Sequence, residues 1–351
     1  MSQSDNFMSC NRLVNKNAIL YNYKENGQVF LADVPNKILQ KITMAIAIVL
    51  SYARKDKRTA YEINQREDNA VWRKGMKLKY LGTSASEGIP TMGCSCPVCQ
   101  KAREKKGRYI RTHSQAMLNG DLLLDFNADA YMHMLKHDIN MQSIGNVLIT
   151  HPHWDHFYPI GFMMLNPKFS TTKRKNPWHV YGGSGVTTQL QALIDESVDW
   201  FDSNYIDAFQ PIQVGDYEVC ALEAAHGTGL EGGYYIYLIS RDGKSMMYCH
   251  DTDGFTQATW EYLKKTKPKV DLFSLDCTRG AETSLYKGHM NLEKCKLLRR
   301  QLLEAGIADE NTAFVLSHFS HNGECPDYDD ICKVAEPQGF VVAYDGLEIE
   351  F

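Results

Sequence analysis

Residues 151–156 read His-Pro-His-Trp-Asp-His, and they directly follow the apolar run Val-Leu-Ile-Thr at 147–150. The apolar run is typical of a buried strand, whose side chains alternate from face to face. The first two histidines can therefore point the same way, while the aspartate and the last histidine aim at a second point nearby. Imidazole and carboxylate groups bind Zn, Mn, Ni and Fe, so the stretch predicts ligands for two adjacent metal ions. A chance histidine-rich loop is disfavoured, because only 12 of the 351 residues are histidine and three of them lie here.

This spacing resembles the His-x-His-x-Asp-His signature of the metallo-β-lactamase superfamily. The resemblance implies that a histidine, an aspartate and a histidine follow at later strand ends. Three residues meet this requirement, each just after a short hydrophobic run bounded by glycine or polar residues: His226, Asp251 and His318. His250 competes with Asp251, but the resemblance favours the Asp-Thr pair and makes His250 a structural residue.

The resemblance also implies how seven ligands are divided between two divalent ions, which are expected to be Zn, Mn or Ni. The first site would contain His151, His153 and His226. The second would contain Asp155, His156 and His318, with Asp251 bridging the two ions.

Three cysteines lie within six residues, at Cys94, Cys96 and Cys99. Three thiolates can close on one tetrahedral zinc ion if a fourth ligand arrives from elsewhere, and His321, three residues after His318, is the candidate. Free thiols in a loop are the alternative. Disulfides are disfavoured because nothing else in the sequence indicates an oxidising compartment. The cluster therefore predicts one structural zinc ion.

Together, the two clusters resemble the PhnP-type cyclic phosphodiesterases, a branch near the tRNA 3′-processing nucleases. The resemblance covers residues 76–351 and implies a four-layer αββα sandwich, with the metals at one edge between two sheets and a final hairpin over 343–349. Hydrophobic periodicity alone predicts only a strand-rich α/β or α+β protein, and with the resemblance the predicted fold class is α+β. Cofactor-biosynthesis proteins of the PqqB kind share the cysteine cluster but lack the intact ligand set that this chain has.

Residues 1–75 lie outside this pattern and are predicted to form a small N-terminal α/β extension of unknown role. Residues 28–32 read as a short strand, and residues 36–53 carry apolar side chains at helical spacing. Such a stripe is usually core or partner packing. The extension is expected either to pack on the hydrolase domain, residues 76–351, or to mediate a homodimer.

The composition is that of an ordinary globular protein, with 44% hydrophobic and 23% charged residues. The net charge of −4 gives no global basic field for nucleic acid. The first residues lack the features of a secretory signal, and the longest apolar stretch, 44–50, is far too short to span a membrane. A cytoplasmic protein without membrane contact is expected, and ten cysteines suit a reducing compartment with bound metal.

The resemblance implies attack by a hydroxide that bridges the two ions, because paired cations lower the pKa of a shared water. It also implies catalytic roles for Asp155 and His289. His289 lies in a Lys-Gly-His-Met segment that matches the family's additional active-site histidine, and it would protonate the leaving group. An ordinary loop histidine is the alternative. Arg279 is a candidate to bind a substrate phosphate, or else forms a lone ion pair. Asp125 either orients a ligand histidine or is a strand-end turn residue.

The favoured function is phosphodiester hydrolysis of a small-molecule substrate, a cyclic or linear nucleotide or sugar phosphate. Thioester or lactone hydrolysis is an alternative, because the same hydroxide attacks a carbonyl carbon. A tRNA-processing nuclease, and any nucleic-acid partner, is disfavoured because no long basic RNA-holding arm is visible. A non-catalytic accessory protein of the PqqB kind is the last alternative.

Overall fold

The computed structural model describes residues 75–172, 174–195, 197–227, 232–283, 287–324 and 327–351. The predicted N-terminal extension, with its strand at 28–32 and its helix at 36–53, lies outside the described residues apart from Gly75. Its boundary with the hydrolase domain and its role in a homodimer stay predictions.

The first sheet has the strand order β14-β1-β2-β3-β4-β5-β6. Its strands are β1 (Lys77–Gly82), β2 (Gln115–Leu118), β3 (Leu122–Leu124), β4 (Asn146–Leu148), β5 (Trp178–Gly182), β6 (Phe201–Tyr205) and β14 (Glu348–Glu350). Strands β3 to β6 are parallel, whereas β14, β1, β2 and β3 pair in antiparallel fashion.

The second sheet has the strand order β13-β12-β11-β10-β9-β8-β7. Its strands are β7 (Pro211–Val214), β8 (Tyr217–Glu223), β9 (Tyr235–Arg241), β10 (Lys244–Cys249), β11 (Leu272–Asp276), β12 (Ala313–Ser317) and β13 (Val341–Val342). Strands β10 to β13 are parallel, and β7 to β10 pair in antiparallel fashion.

The described α-helices are α1 (Pro97–Lys105), α2 (Ala130–Lys136), α3 (Ser184–Gln191), α4 (Gln257–Thr266), α5 (Leu292–Glu304) and α6 (Tyr328–Ala335). Short 3₁₀ helices span Gly107–Tyr109, Pro159–Leu165, Pro167–Phe169 and Glu336–Gln338. Helix α5 begins after Asn291, whose side chain accepts a hydrogen bond from the amide of Lys294 at 2.8 Å and caps the helix. Among the described residues, every helix is too short or too polar to cross a bilayer.

The apolar side chains form three layers of core. The layer between the sheets contains Leu148 from the first sheet and Tyr248 from the second. Helix α3 buries Val186 against the outer face of the first sheet. Helices α4 to α6 cover the outer face of the second sheet, where Leu263 and Leu298 belong to one cluster. This is the predicted four-layer αββα sandwich, and each fully buried leucine contributes about 1.5–3 kcal/mol to it.

The predicted final hairpin over 343–349 is wrong. Strand β13 pairs with β12 in the second sheet, whereas β14 pairs with β1 in the first. The segment between them crosses the sandwich: the amide of Ala343 donates to Leu316 at 2.9 Å, and the amide of Gly346 donates to Tyr80 at 2.7 Å. The hydrophobic pattern of two successive strands does not reveal that they join different sheets.

Candidate metal centre

The predicted ligands meet at one edge of the sandwich because the strands before them end there. The 151–156 segment follows β4, His226 follows β8, Asp251 follows β10 and His318 follows β12. Strands β8, β10 and β12 run in the same direction, so their carboxyl ends share one edge of the second sheet. That edge is where open α/β sheets bind their ligands.

Three residues that follow strands at this edge have backbone angles in the left-handed region. They are Asp125 (φ 67°), Asp251 (φ 52°) and His318 (φ 61°). Such residues are uncommon outside glycine, and strained backbone conformations cluster at functional sites. Each of the three contributes a side chain to the cluster of polar groups at the sheet edge.

The first group of candidate ligands contains the predicted residues His151, His153, His226 and Asp251, whose ligand atoms all lie within 4.8 Å of one another. Nε2 of His151 lies 2.9 Å from Nδ1 of His153 and 3.0 Å from Oδ2 of Asp251. Nε2 of His226 lies 3.4 Å from Nδ1 of His153. The four side chains therefore converge on a space of the size that one metal ion occupies.

The second group contains Asp155, His156, His318 and again Asp251. Nε2 of His156 lies 3.1 Å from Nε2 of His318, 3.5 Å from Asp155 and 3.1 Å from Oδ2 of Asp251. Oδ1 of Asp251 lies 3.1 Å from Nε2 of His318. Asp251 is the member common to both groups. Its expected role of bridging two ions stays a prediction.

The hydrogen bonds of the outer ring nitrogens test whether this donor set fits a cation. Nδ1 of His156 donates to Asp125 at 2.8 Å, and Nδ1 of His318 donates to Thr278 at 2.8 Å. In the neutral rings, both Nε2 atoms then carry a lone pair and no proton. The two atoms nevertheless lie only 3.1 Å apart, and in these tautomers no hydrogen bond joins them. Oδ1 of Asp251 is buried and makes no hydrogen bond within the described part of the chain. Acceptors crowded together without donors fit a divalent cation.

The electrostatics of the cluster favour a positive charge as well. Burial alone would lower the pKa of His156, but the carboxylates of Asp251, Asp125 and Asp155 outweigh it and raise that pKa well above its usual value. At His318, by contrast, burial outweighs the nearby carboxylates and lowers the pKa to about 3. A neutral imidazole is the form that binds metal ions, so the buried His318 ring is ready to act as a ligand.

Asp125 and Thr150 form a buried support on the side of the first sheet. Oδ1 of Asp125 accepts hydrogen bonds from the amide of Thr150 at 2.8 Å and from its hydroxyl at 2.9 Å. Because the hydroxyl has only one proton, it accepts from Nδ1 of His151, which lies 2.9 Å away. Oδ2 of Asp125 accepts from His156. Asp125 thus orients His156 directly and His151 through Thr150, and it is also a strand-end turn residue.

Asp276 and Thr278 form the corresponding support on the second sheet. The hydroxyl of Thr278 lies 2.8 Å from Oδ1 of Asp276 and accepts from Nδ1 of His318. Oδ2 of Asp276 accepts from Nδ1 of His289 at 2.9 Å. The sequence reading missed the part played by Thr150 and by the Asp276–Thr278 pair. The available signal was their position at the ends of strands next to predicted ligands.

His289 lies beside the second ligand group, and its ring stacks on that of His318 with centroids 5.8 Å apart. Burial lowers the pKa of His289, but Asp276, Asp251 and Asp155 outweigh this and raise it to about 9. Asp276 therefore holds the ring in place and favours its protonated form.

A cavity of about 320 Å³, named here the metal-centre cavity, opens over both ligand groups. Arg279 lies on its wall and forms an ion pair with Glu282, so the ion pair expected as the alternative for this residue is present. Other lining residues are Ala85, Ser86, Glu87, His153, Asp155, His226, Asp251, Thr278, His289, His318, Ser320 and Asn322.

The cysteine cluster converges with His321 as expected. Nδ1 of His321 lies 3.8 Å from Sγ of Cys94, 3.4 Å from Cys96 and 3.5 Å from Cys99. The amide of Thr91 donates to Cys99 at 3.3 Å. Burial raises the pKa of Cys96, but hydrogen bonds from His321 and its neighbours outweigh burial and lower it to about 6. Burial outweighs the hydrogen bonds at Cys99 and raises its pKa, so the thiolate form is favoured at Cys96 and not at Cys99 in the metal-free cluster. Three sulfurs and one imidazole at these distances fit a zinc ion.

His250 lies close to the cluster, but both of its ring nitrogens contact residues outside it. Its Nδ1 lies 2.8 Å from the hydroxyl of Ser114, and its Nε2 lies 2.8 Å from the hydroxyl of Ser274. Both ring nitrogens therefore have hydrogen-bond partners between the two sheets, in keeping with a structural residue.

A family model described as "Beta-lactamase superfamily domain" matches residues 123–319, more than half of the 351-residue chain. The chain therefore belongs to this superfamily. Its two facing sheets and its motif at 151–156 make it a member with the metallo-β-lactamase fold, which confirms the family and the fold class predicted from the sequence.

Ribonuclease Z from Pyrococcus horikoshii is 32% identical over 117 residues, which are 31% of this chain and 37% of that enzyme. The match thus spans little more than a third of that relative. A diphosphatase of the PhnP family aligns with a TM-score of 0.60 at 20% identity, over 79% of this chain and 97% of its own. Zinc-bound PqqB from Methylobacterium extorquens aligns with a TM-score of 0.55 at 18% identity, over 78% of this chain and all of its own. These two structures share the fold.

Proposed function

We propose that this protein is a hydrolase that cleaves phosphodiesters with the help of two divalent metal ions, with Zn, Mn or Ni as the candidates. The observation that carries the proposal is the convergence of seven acceptor side chains into two groups that share Asp251. Family membership supports it, as does the similarity to ribonuclease Z and to a PhnP-family diphosphatase, both named for the cleavage of phosphate linkages.

The ions would be held by the two ligand groups in the division expected from the sequence, with Asp251 common to both. Ions bound there supply Lewis acidity toward phosphoryl oxygens and make hydroxide available near neutral pH. The protein's own part is to keep each histidine in its ligating tautomer. Thr150 does this for His151, and Thr278 does it for His318.

Two further side chains act on protons. His289, oriented by Asp276, gives a proton to the oxygen of the leaving alcohol. Asp155 is buried at the floor of the metal-centre cavity, and burial raises its pKa, so it is suited to hold the proton of an attacking water. Arg279, paired with Glu282 on the wall, contacts a phosphoryl oxygen of the substrate.

Cys94, Cys96, Cys99 and His321 bind one structural zinc ion in this proposal. The ion would join the loop before α1 to the segment that follows β12. Because His318 lies in that segment, the structural ion also fixes the position of a ligand in the metal centre.

The first experiment is hydrolysis of bis(p-nitrophenyl) phosphate by the purified full chain with Mn²⁺, Zn²⁺ or Ni²⁺ added. Asp251→Asn should reduce turnover by at least about 100-fold, because it removes the shared carboxylate. His179→Gln is the control, since His179 pairs with Asp202 at the surface of β5 and belongs to neither ligand group. Full metal occupancy without cleavage of any ester would support an accessory protein of the PqqB kind instead.

RNA cleavage is the second candidate, favoured by the similarity to ribonuclease Z. The expectation that nucleic acid is disfavoured as a partner therefore stays a prediction, as does a cytoplasmic location. A precursor tRNA with a 3′ extension should be assayed beside small diesters, a thioester and a lactone. Efficient cleavage of the precursor alone would replace the small-molecule proposal, and preference for the thioester or lactone would move the chemistry to carbonyl carbon.

A further inference from the structure

A second cavity, of about 360 Å³, adjoins the metal centre and shares His153 with the metal-centre cavity. Its other lining residues are Pro152 and the outer face of helix α3, and we name it the α3 cavity. That face consists of two pairs of residues at a spacing of four, which places them on one side of the helix: Ser184, Thr188, Gly185 and Gln189.

Close glycine contacts fix α3 in this position. A Cβ atom on Gly183 would lie 2.5 Å from Cα of Gly233, and one on Gly232 would lie 2.1 Å from the hydroxyl of Ser184. The amide of Gly185 donates to the carbonyl of Gly232 at 3.1 Å. Because no larger residue fits here, the start of α3 is held against the segment that follows the ligand His226. These contacts therefore hold the wall of the α3 cavity in a fixed position beside the metal centre.

The two cavities differ in charge. Apart from His153, the described lining of the α3 cavity contains no ionisable side chain. The metal-centre cavity contains Glu87 and Arg279 in addition to the candidate ligands. A phosphate or carboxylate would find no cationic partner on α3. Hydroxyl and amide side chains both donate and accept hydrogen bonds, which suits an uncharged group that carries hydroxyls.

We propose that the α3 cavity binds one of the two alcohol arms of a linear phosphodiester, and that this arm is neutral and rich in hydroxyls, like a pentose. This inference rests on the proposed diesterase function and adds a substrate class to it. A diester carries two substituents on phosphorus, and two cavities that meet at His153 can take one each. A phosphomonoester would leave one cavity unused.

The test compares thymidine 5′-(p-nitrophenyl phosphate) with methyl p-nitrophenyl phosphate, since both release the same chromophore. The variants Thr188→Arg and Gln189→Arg fill the α3 cavity from exposed positions, and Gln191→Arg is the matched control on the same helix outside the lining. We expect the wild type to prefer the thymidine ester by about tenfold in kcat/KM, the effect of one or two hydrogen bonds. Thr188→Arg and Gln189→Arg should abolish this preference by slowing the thymidine ester more than the methyl ester, whereas Gln191→Arg should retain it.

Equal use of the two esters by the wild type, or equal slowing of both in Thr188→Arg, would overturn the proposal even though diester cleavage itself persisted. If the protein cleaves no diester at all, the result contradicts the proposed function and not the proposed role of the α3 cavity. In that case, saturation-transfer NMR with thymidine alone still tests whether the α3 cavity binds a nucleoside. A signal that Thr188→Arg removes and Gln191→Arg retains supports binding at α3, and the absence of a signal from the wild type rejects it.

Discussion

Replacing Thr150 with valine tests whether a hydroxyl outside the ligand groups controls how tightly the centre holds a metal ion. Valine keeps the shape of threonine and removes only the hydroxyl, which lies 2.9 Å from Oδ1 of Asp125 and 2.9 Å from Nδ1 of His151. The buried Nδ1 of His151 then loses its acceptor. The ring is free to take the tautomer with the proton on Nε2, and that nitrogen can no longer act as a ligand.

Two independent estimates give the same size of effect. Loss of an outer partner of a ligand histidine weakens metal binding by roughly 10–100-fold, which corresponds to about 1.4–2.7 kcal/mol. A buried donor left without a partner costs about 1–3 kcal/mol, and His151, whose Nδ1 is that donor, is only 1% exposed. We therefore expect the dissociation constant of the more weakly bound ion to rise by one to two orders of magnitude in Thr150→Val.

The assay is competition for Zn²⁺ or Mn²⁺ between the protein and a chromophoric chelator of known affinity. Thr312→Val is the matched control, because the hydroxyl of Thr312 is also buried, donates to Val270 at 3.0 Å and contacts no predicted ligand. Unchanged metal affinity in Thr150→Val would refute the reasoning. So would an equal loss of affinity in Thr312→Val, which would indicate a general loss of stability.

Three further outcomes follow from the same geometry. Cys96→Ser should lower bound zinc by about one ion per chain and reduce Tm, as measured by elemental analysis and thermal melts, whereas Cys332→Ser, outside the cluster, should retain the ion. His289→Gln should slow a diester with an alkyl leaving group by about 100-fold or more, with a much smaller effect on bis(p-nitrophenyl) phosphate, whose leaving group departs without a proton; equal slowing of both substrates would contradict the role as acid. Dialysis against EDTA should lower Tm because ions that bind only the folded chain stabilise it, and a melt unaffected by EDTA and by added metal would mean that the centre binds no ion.

The family, and the strand ends that carry the candidate ligands, could be predicted from the sequence because both depend on local patterns. Each ligand directly follows a hydrophobic run, so its place at the end of a strand was readable for His226, Asp251 and His318. The edge at which they meet required the strand directions, and those came from the resemblance to a known fold.

What could not be predicted depends on contacts between distant segments. Thr150 matters because its hydroxyl faces Asp125, 25 residues earlier, and Thr278 matters because it faces His318, 40 residues later. Their position at strand ends was visible in the sequence, but the group that each hydroxyl faces is fixed only by the fold. The crossing at 343–346 was missed for the same reason, since the choice of partner strand is made across the sandwich.

His318 and His321 stand three residues apart, one beside Asp251 and the other beside three thiols. Oxidants attack thiolates, and the hydrogen bonds from His321 and its neighbours favour the thiolate form of Cys96 because they lower its pKa. If the proposed zinc ion binds there, oxidation of Cys96 would release it and free the turn that carries His318 and His321. The proposed hydrolase would then lose activity, although the side chains that line the metal-centre cavity stayed chemically intact.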